Sequence, residues 1–371
     1  MPSPSRILVD RSRMKHSLFW SMFGATLICA GILLVEAALR MFFPQPLGAP
    51  AFAYHPKLGA IPTPNQRAVR WLPGDGSYLA TNDSSGLRQT NIINAEAPRL
   101  RILFLGDSFT YGTGVNDAEA FPALVEGAIP GAKAWNAGNP GTGTDYALKF
   151  FPERGASFAA DWVVLGFFAN DFADNGGDRY FRIDSQGNLS EQDVSQTFAY
   201  FREKEGLSSS LAYIWLAERS HALSLFRRWL AWRKLAAGSL GIGALLRPDE
   251  PSFQPFAEGI ANAIVERLTA IYLSELQKKA KSLGSQFMVV YLPNPIDLRL
   301  MRAQKSLGKD EAVFQRIAVA KKIPSLSLTK AFHDSGKSEA ELFLRDGHFT
   351  KAGHEIAGRE IAAASKRRDK L

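Results

Sequence analysis

Cysteine is nearly absent: Cys29 is the only one in 371 residues. A lone thiol excludes an intramolecular disulfide and any metal site built from several thiolates. A chain this long can hold itself together by burial instead. Two glycine-rich signatures are also missing. In Ser335-Gly-Lys-Ser338, Ala331 stands where a phosphate loop needs its leading glycine, and Gly112-Thr-Gly114 lacks the third glycine of a dinucleotide fingerprint. Nor is there a basic stripe for nucleic acid. Of the net charge of +8, residues 1–16 and the tail 366–371 carry +3 each, leaving only about +2 for everything between. No nucleic-acid partner, cofactor or metal is expected.

What is present is a short apolar run, Arg101-Ile-Leu-Phe-Leu105, that stops at the turn Gly106-Asp-Ser108. Such a run reads as a buried strand, and in open α/β sheets the chemistry gathers at the carboxyl ends of strands. Three further blocks follow. They are Asn136-Ala-Gly-Asn-Pro-Gly141, the run Trp162-Val-Val-Leu-Gly166 leading to Asn170-Asp171, and Leu344-Arg-Asp346-Gly-His348 with His354 shortly after. A serine hydroxyl needs an adjacent base and a group that orients it, which His348 and Asp346 can supply. Charge developing on a carbonyl oxygen needs pre-aimed donors, a role that suits the N–H groups of Ser108 and Gly141 and the amide of Asn170. Glycine at 141 suits a backbone N–H that approaches a substrate with no Cβ in the way.

In this order the four blocks resemble the SGNH hydrolases, also called GDSL esterases and lipases, over roughly residues 99 to 365. The resemblance implies Ser108 as nucleophile, Asp346 and His348 as its triad partners, and Ser108, Gly141 and Asn170 as the oxyanion hole. The commoner family spacing is Asp-x-x-His; Asp346-x-His348 looks like the branch that acts on polysaccharide acetyl groups. His354 is the competing base, but Gly353-His354 reads as the first turn of the closing helix. Each residue taken singly has a plainer reading: Ser108 and Asp346 as helix caps, Asn170 and Asp171 as turn residues, Gly141 as an ordinary loop glycine. Together these plainer readings require four coincidences in the right order.

Residues 17–40 form an apolar stretch long enough to cross a bilayer, broken by Glu36 near its end. Arg6, Arg11, Arg13 and Lys15 precede it and only Arg40 follows closely, so the positive-inside rule places residues 1–16 in the cytoplasm and the rest outside. A cleavable signal peptide is the rival reading, but the apolar core is long for one. Ile28 before Cys29 speaks against a lipid-modified cysteine. A single-pass protein of a bacterial cytoplasmic membrane, its catalytic domain extracytoplasmic, is the expectation.

Residues 41–98 carry Pro44, Pro46, Pro50, Pro56, Pro62 and Pro64, which excludes a long helix. They read as an extended lead segment lying against the catalytic domain. From residue 99 to 371, strands at 101–105, 132–136, 162–167, 286–292 and 323–328 alternate with helices at 118–129, 145–154, 257–282, 309–321 and 351–365. That pattern predicts a three-layer α/β/α sandwich, flavodoxin-like, with about five parallel strands. Residues 172–256 interrupt it as an insertion, turn-rich at first and then helical over about 207–237. There Trp215, Phe226, Trp229 and Trp232 mix with Arg219, Arg227, Arg228 and Arg233. Two readings of that helix stay open, a cap over the catalytic domain, which is preferred, or a membrane-surface helix. The expected function is hydrolysis or transfer of an ester-linked acyl group, acetyl on a glycan before a lipid ester or thioester. The alternative from another class is a non-catalytic subunit of an envelope polysaccharide assembly. The substrate is thus glycan or lipid, and protein partners are not read from the sequence.

Overall fold

The computed structural model describes residues 11–72, 74–90, 98–177, 179–184, 186, 188–235 and 261–368. Most of the basic N-terminal tail, the residues from 236 to 260 and the last three of the basic C-terminal tail lie outside them. The start of the helix expected at 257 therefore lies outside the described residues as well. The described chain divides into two compact units.

The larger unit begins at Gly48 and holds the parallel sheet. Two hairpins come first: β1 (Phe52–His55) with β2 (Gly59–Pro62), and β3 (Arg67–Leu72) with β4 (Gly76–Thr81). The proline-rich stretch is therefore not an extended lead but paired β-structure built into the catalytic unit. Its prolines exclude helix, yet Pro62 sits at a strand end, Pro56 and Pro64 fall between strands, and Pro44, Pro46 and Pro50 precede the first, so no ladder hydrogen bond is lost.

The central strands are β5 (Leu100–Gly106), β6 (Ala132–Gly138), β7 (Trp162–Phe168), β10 (Gln286–Leu292) and β11 (Ser325–Ser327). They lie in the order β11-β10-β7-β5-β6, all neighbours parallel. The five-stranded parallel sheet expected from the sequence is the one observed. Period-two alternation explains how continuous apolar runs bury both faces. On β5, Leu103 and Leu105 join one core with Val163, Leu165, Val289 and Tyr291, while Ile102 and Phe104 join the other with Val164, Met288 and Val290.

Chain order sets the site. From β5 the chain steps to β6 at one side, then crosses back to β7 on the other, so the direction of winding reverses at β5. The carboxyl end of β5 is thus the switch point where such sheets open a crevice, and Ser108 follows it directly. Helices Phe121–Ala128, Thr144–Phe150, Ala263–Ser282, Lys309–Ala320 and Lys351–Arg368 cover the sheet. A helix at Pro295–Gln304 was not expected. Its capping box, Asn294 with Asp297, is the sequence signal for it. A short hairpin, β8 (Phe181–Ile183) with β9 (Leu189–Glu191), accounts for the turn-rich half of the insertion.

The smaller unit combines the N-terminal helix Arg11–Phe42 with, among the described residues, those from 216 to 235. Within the N-terminal helix, Leu18–Phe42 is 25 residues long with mean hydropathy 2.2, long and apolar enough to cross a membrane. The helix expected over 207–237 is broken into Ala199–Ser208, Leu211–Ala217 and His221–Leu235. The last of these packs on the N-terminal helix. Its partner within its own unit is the apolar N-terminal helix. The compact units also cut the chain differently from the boundaries drawn at 41, 99 and 256.

Candidate active site

Strand β5 ends at Gly106, where a Cβ would lie 2.3 Å from Thr110 Oγ1 and 2.7 Å from the Gly166 carbonyl oxygen. Only glycine lets the chain turn that tightly into the short helix Ser108–Tyr111. Asp107 caps this helix by accepting the Phe109 N–H at 2.9 Å, which leaves Ser108 at its first position with its hydroxyl outside the strand. The cap reading of the Gly-Asp-Ser turn thus belongs to Asp107, not to Ser108.

Asp346 and His348 reach Ser108 from a tight turn between Phe343 and Phe349, which bridge each other. Gly347 has φ +87°, and the Leu344 N–H donates to the His348 carbonyl at 2.7 Å. This geometry explains the two-residue spacing. One carboxylate reaches both the backbone and the ring of the residue two ahead: Oδ1 accepts the His348 N–H at 3.1 Å, and Oδ2 lies 2.8 Å from His348 Nδ1. A carboxylate only accepts, so Nδ1 carries the proton and Nε2 is the free acceptor. Ser108 Oγ lies 2.7 Å from that Nε2. Phe109 packs on the imidazole, ring centroids 4.8 Å apart. Burial pushes the Asp346 carboxyl up, but the hydrogen bonds and charge of His348 outweigh it and hold the group below its ordinary range.

His354 stands elsewhere. It is buried in the helix Lys351–Arg368, its Nδ1 accepts the Phe121 N–H at 3.2 Å, and its ring packs on Phe121 and Phe349. Burial pushes its pKa down to about 3. It is a neutral core histidine, and the preference for His348 agrees with the geometry.

Asn170 opens the helix Asn170–Asn175 just past the end of β7. Its Nδ2 donates to Asp174 Oδ2 at 3.2 Å, which fixes the amide orientation because the carboxylate cannot donate. The same side chain is also in hydrogen-bonding reach of the Asp107 carboxyl. Gly141 has φ +77°, with open space where a Cβ would be. The left-handed backbone there favours glycine.

Arg179 was missed by sequence reasoning. Its Nη1 donates to the Gly141 carbonyl at 2.7 Å, and its Nη2 lies 3.2 Å from Asp174 Oδ1. A chain of contacts thus runs from Gly141 through Arg179 and Asp174 to Asn170, joining the two loops expected to hold an oxyanion. The signal available in the sequence was the charge cluster Asp171, Asp174 and Arg179 directly after the third block.

Several carboxyls crowd this region. Burial pushes Asp107 and Asp145 up to about 6. Asp171, wholly buried, is raised well above the ordinary range by burial and then by the Asp107 charge. It accepts the Phe168 N–H at 2.8 Å and the Thr144 hydroxyl at 3.2 Å, pinning the turn that presents Asn170. Beside the Asp346–His348 turn opens a cavity of about 520 Å³, lined among others by Asp75, Arg299, Phe343, Arg345 and Gly347. Its wall shares the triad turn, but Ser108 is not among its lining residues.

A family profile described as GDSL-like lipase/acylhydrolase matches residues 104–356, which include all the site residues above. No curated protein matches the sequence. Among solved structures, an alpha/beta hydrolase enzyme from the metagenome of Lake Arreo, Spain, is 13% identical with a TM-score of 0.40, covering 73% of this chain and 96% of that one. The lipase/acylhydrolase of Enterococcus faecalis is 17% identical with a TM-score of 0.36, covering 72% and 96%. A catalytic mutant of an acetylxylan esterase from Geobacillus stearothermophilus is 14% identical with a TM-score of 0.35, covering 71% and 92%. With well over half of its length matched by the profile, the chain belongs to the GDSL-like lipase/acylhydrolase family and is a serine ester hydrolase of the SGNH type.

Proposed function

We propose that this protein is a membrane-anchored, extracytoplasmic esterase that removes or transfers an ester-linked acyl group, acetyl on a glycan, through an acyl-Ser108 intermediate. The observation that carries this reading is the hydrogen-bonded series Asp346, His348, Ser108, with links of 2.8 and 2.7 Å. His348 Nε2 takes the Ser108 proton as Oγ attacks the ester carbonyl, and Asp346 stabilises the imidazolium that forms. The N–H groups of Ser108 and Gly141 and the Asn170 amide receive the oxyanion. Collapse expels the alcohol, which takes the proton from His348. Water or a sugar hydroxyl, deprotonated by the same nitrogen, then resolves the acyl-enzyme.

Acetyl on a glycan is favoured by the Asp-x-His spacing, which resembles the polysaccharide-acetyl branch of the family. The compartment is supported by Arg11, Arg13 and Lys15 ahead of the apolar span and by the scarcity of charge just after it. The test is turnover of p-nitrophenyl acetate and p-nitrophenyl octanoate by the full-length protein in detergent, beside Ser108→Ala. Acetate is expected to be preferred, with a loss of at least about 1000-fold in the variant. Equal rates from two folded proteins would overturn the serine mechanism, and a preference for octanoate would move the substrate to lipid esters.

A further inference from the structure

Glu36 is the single acidic residue within Leu18–Phe42. An ionisable group at membrane depth is costly unless partnered. Its partners come mainly from residues some 185 positions away. Oε1 lies 2.8 Å from Arg40 Nε and accepts the His221 N–H at 2.9 Å; Oε2 accepts the Ala222 N–H at 2.9 Å and the Ser220 hydroxyl at 3.0 Å. The two amides open the helix His221–Leu235 and have no partner within that helix. Glu36 therefore caps it from outside and meets the positive end of its dipole.

The fastening continues past the end of the apolar span. Gln45 N–H donates to His221 Nδ1 at 2.7 Å, Arg228 Nη1 donates to Gln45 Oε1 at 2.8 Å, and the Ser224 hydroxyl donates to the Pro46 carbonyl. The helix is thus bound to the last two turns of the span and to the residues that leave it. If the span crosses a bilayer, this is the level where hydrocarbon gives way to headgroups. There the helix presents Phe226 and Leu230, 53% and 39% exposed, with Phe226 stacked on Trp229 at 5.8 Å and Arg227 and Arg228 between them in sequence. Exposed aromatics beside basic side chains are the composition of a helix lying in an anionic interface.

We propose that the helix His221–Leu235 is an interfacial helix, held by Glu36 to the membrane span and seated among anionic phospholipid headgroups of the leaflet where that span emerges. This rests on the reading that Leu18–Phe42 crosses the membrane. The apolar side chains enter the acyl boundary and the arginines meet lipid phosphate. Glu36 is retained in the span because it fixes the helix at that depth.

The test places single nitroxide labels on full-length protein carrying Cys29→Ser, in nanodiscs of mixed phosphatidylcholine and phosphatidylglycerol. Labels go at Leu33→Cys in the span, Phe226→Cys and Leu230→Cys on the helix, and Lys57→Cys as an aqueous reference. The oxygen-to-nickel-chelate accessibility ratio is expected to be several-fold higher at 226 and 230 than at 57, and highest at 33. Ratios at 226 and 230 equal to that at 57, with 33 in hydrocarbon, would overturn the interfacial helix while leaving the anchor intact. An aqueous ratio at 33 would instead overturn the anchor. Glu36→Leu is expected to release the label at 226 toward water; an unchanged depth refutes the clamp. Removing phosphatidylglycerol is expected to lower the ratio at 230, and no change refutes the anionic partner.

Discussion

At the scale of single residues, the four blocks stand out because each polar group in the proposed mechanism needs a fixed identity: a hydroxyl, an imidazole, a carboxylate, an amide. All of them were named from the sequence, and the structure brings Ser108, His348 and Asp346 together while burying His354 in the core. Arg179 was not, because its part is to hold other groups, and the charge cluster it forms with Asp171 and Asp174 does not by itself say which group is held. It ties the Gly141 carbonyl to Asp174, which in turn holds Asn170. Arg179→Met is expected to lower kcat about ten- to a hundred-fold, a fraction of what losing an oxyanion donor costs. KM should change little, and Arg179→Lys should recover part of the rate. A variant with full kcat would show that the two loops hold their geometry without the guanidinium.

At the scale of elements, the long apolar strands were readable because burial on both faces leaves continuous hydrophobic runs. The hairpins at 52–81 were not, since their strands are only four to six residues long and the surrounding prolines dominate the local signal. The link between these hairpins and the nucleophile is Arg88, whose side chain is fully buried. It pairs with Asp117 at 3.0 Å and donates to the carbonyls of Leu79, Tyr111, Gly112 and Val115, with its guanidinium over the Tyr111 ring. One side chain thereby fastens β4 to the loop that follows the helix Ser108–Tyr111. Arg88→Met leaves Asp117 buried without its cation, and breaking such a pair costs about 3–5 kcal/mol. Urea unfolding of the full-length protein in detergent should show that loss, and a shift below about 1 kcal/mol would mean that the cluster relaxes around the gap.

At the scale of the whole molecule, buried carboxyls set how stability responds to pH. Burial, with the Glu311 charge adding to it, pushes Asp297 from its ordinary 3.8 up to about 7, and Asp107 and Asp145 rise to about 6. In each case the folded state holds the proton more tightly than the unfolded chain. Their stabilising contribution is therefore complete below about pH 4 and is lost as pH rises through the folded values of about 6 to 7. The melting temperature is expected to fall by a few degrees between pH 5 and 8, and Asp297→Asn should flatten part of that decline. A parent whose melting temperature rises across this window would contradict the assignment. None of this was legible in the sequence, because a carboxyl's depth is a property of the packing around it.

The tight turn that joins Asp346 to His348 has a mechanical consequence. The proposed base and its orienting acid share one carboxylate-bridged loop, so they move as a single body, and of the hydrogen bonds in the series only that from His348 to Ser108 spans separate parts of the chain, beside the Phe109 ring on the imidazole and the Arg345 N–H held by Asp75. The approach of that loop to Ser108 is then the coordinate along which the series can open. Any resting form of the enzyme should keep the Asp346–His348 hydrogen bond and differ in that approach alone.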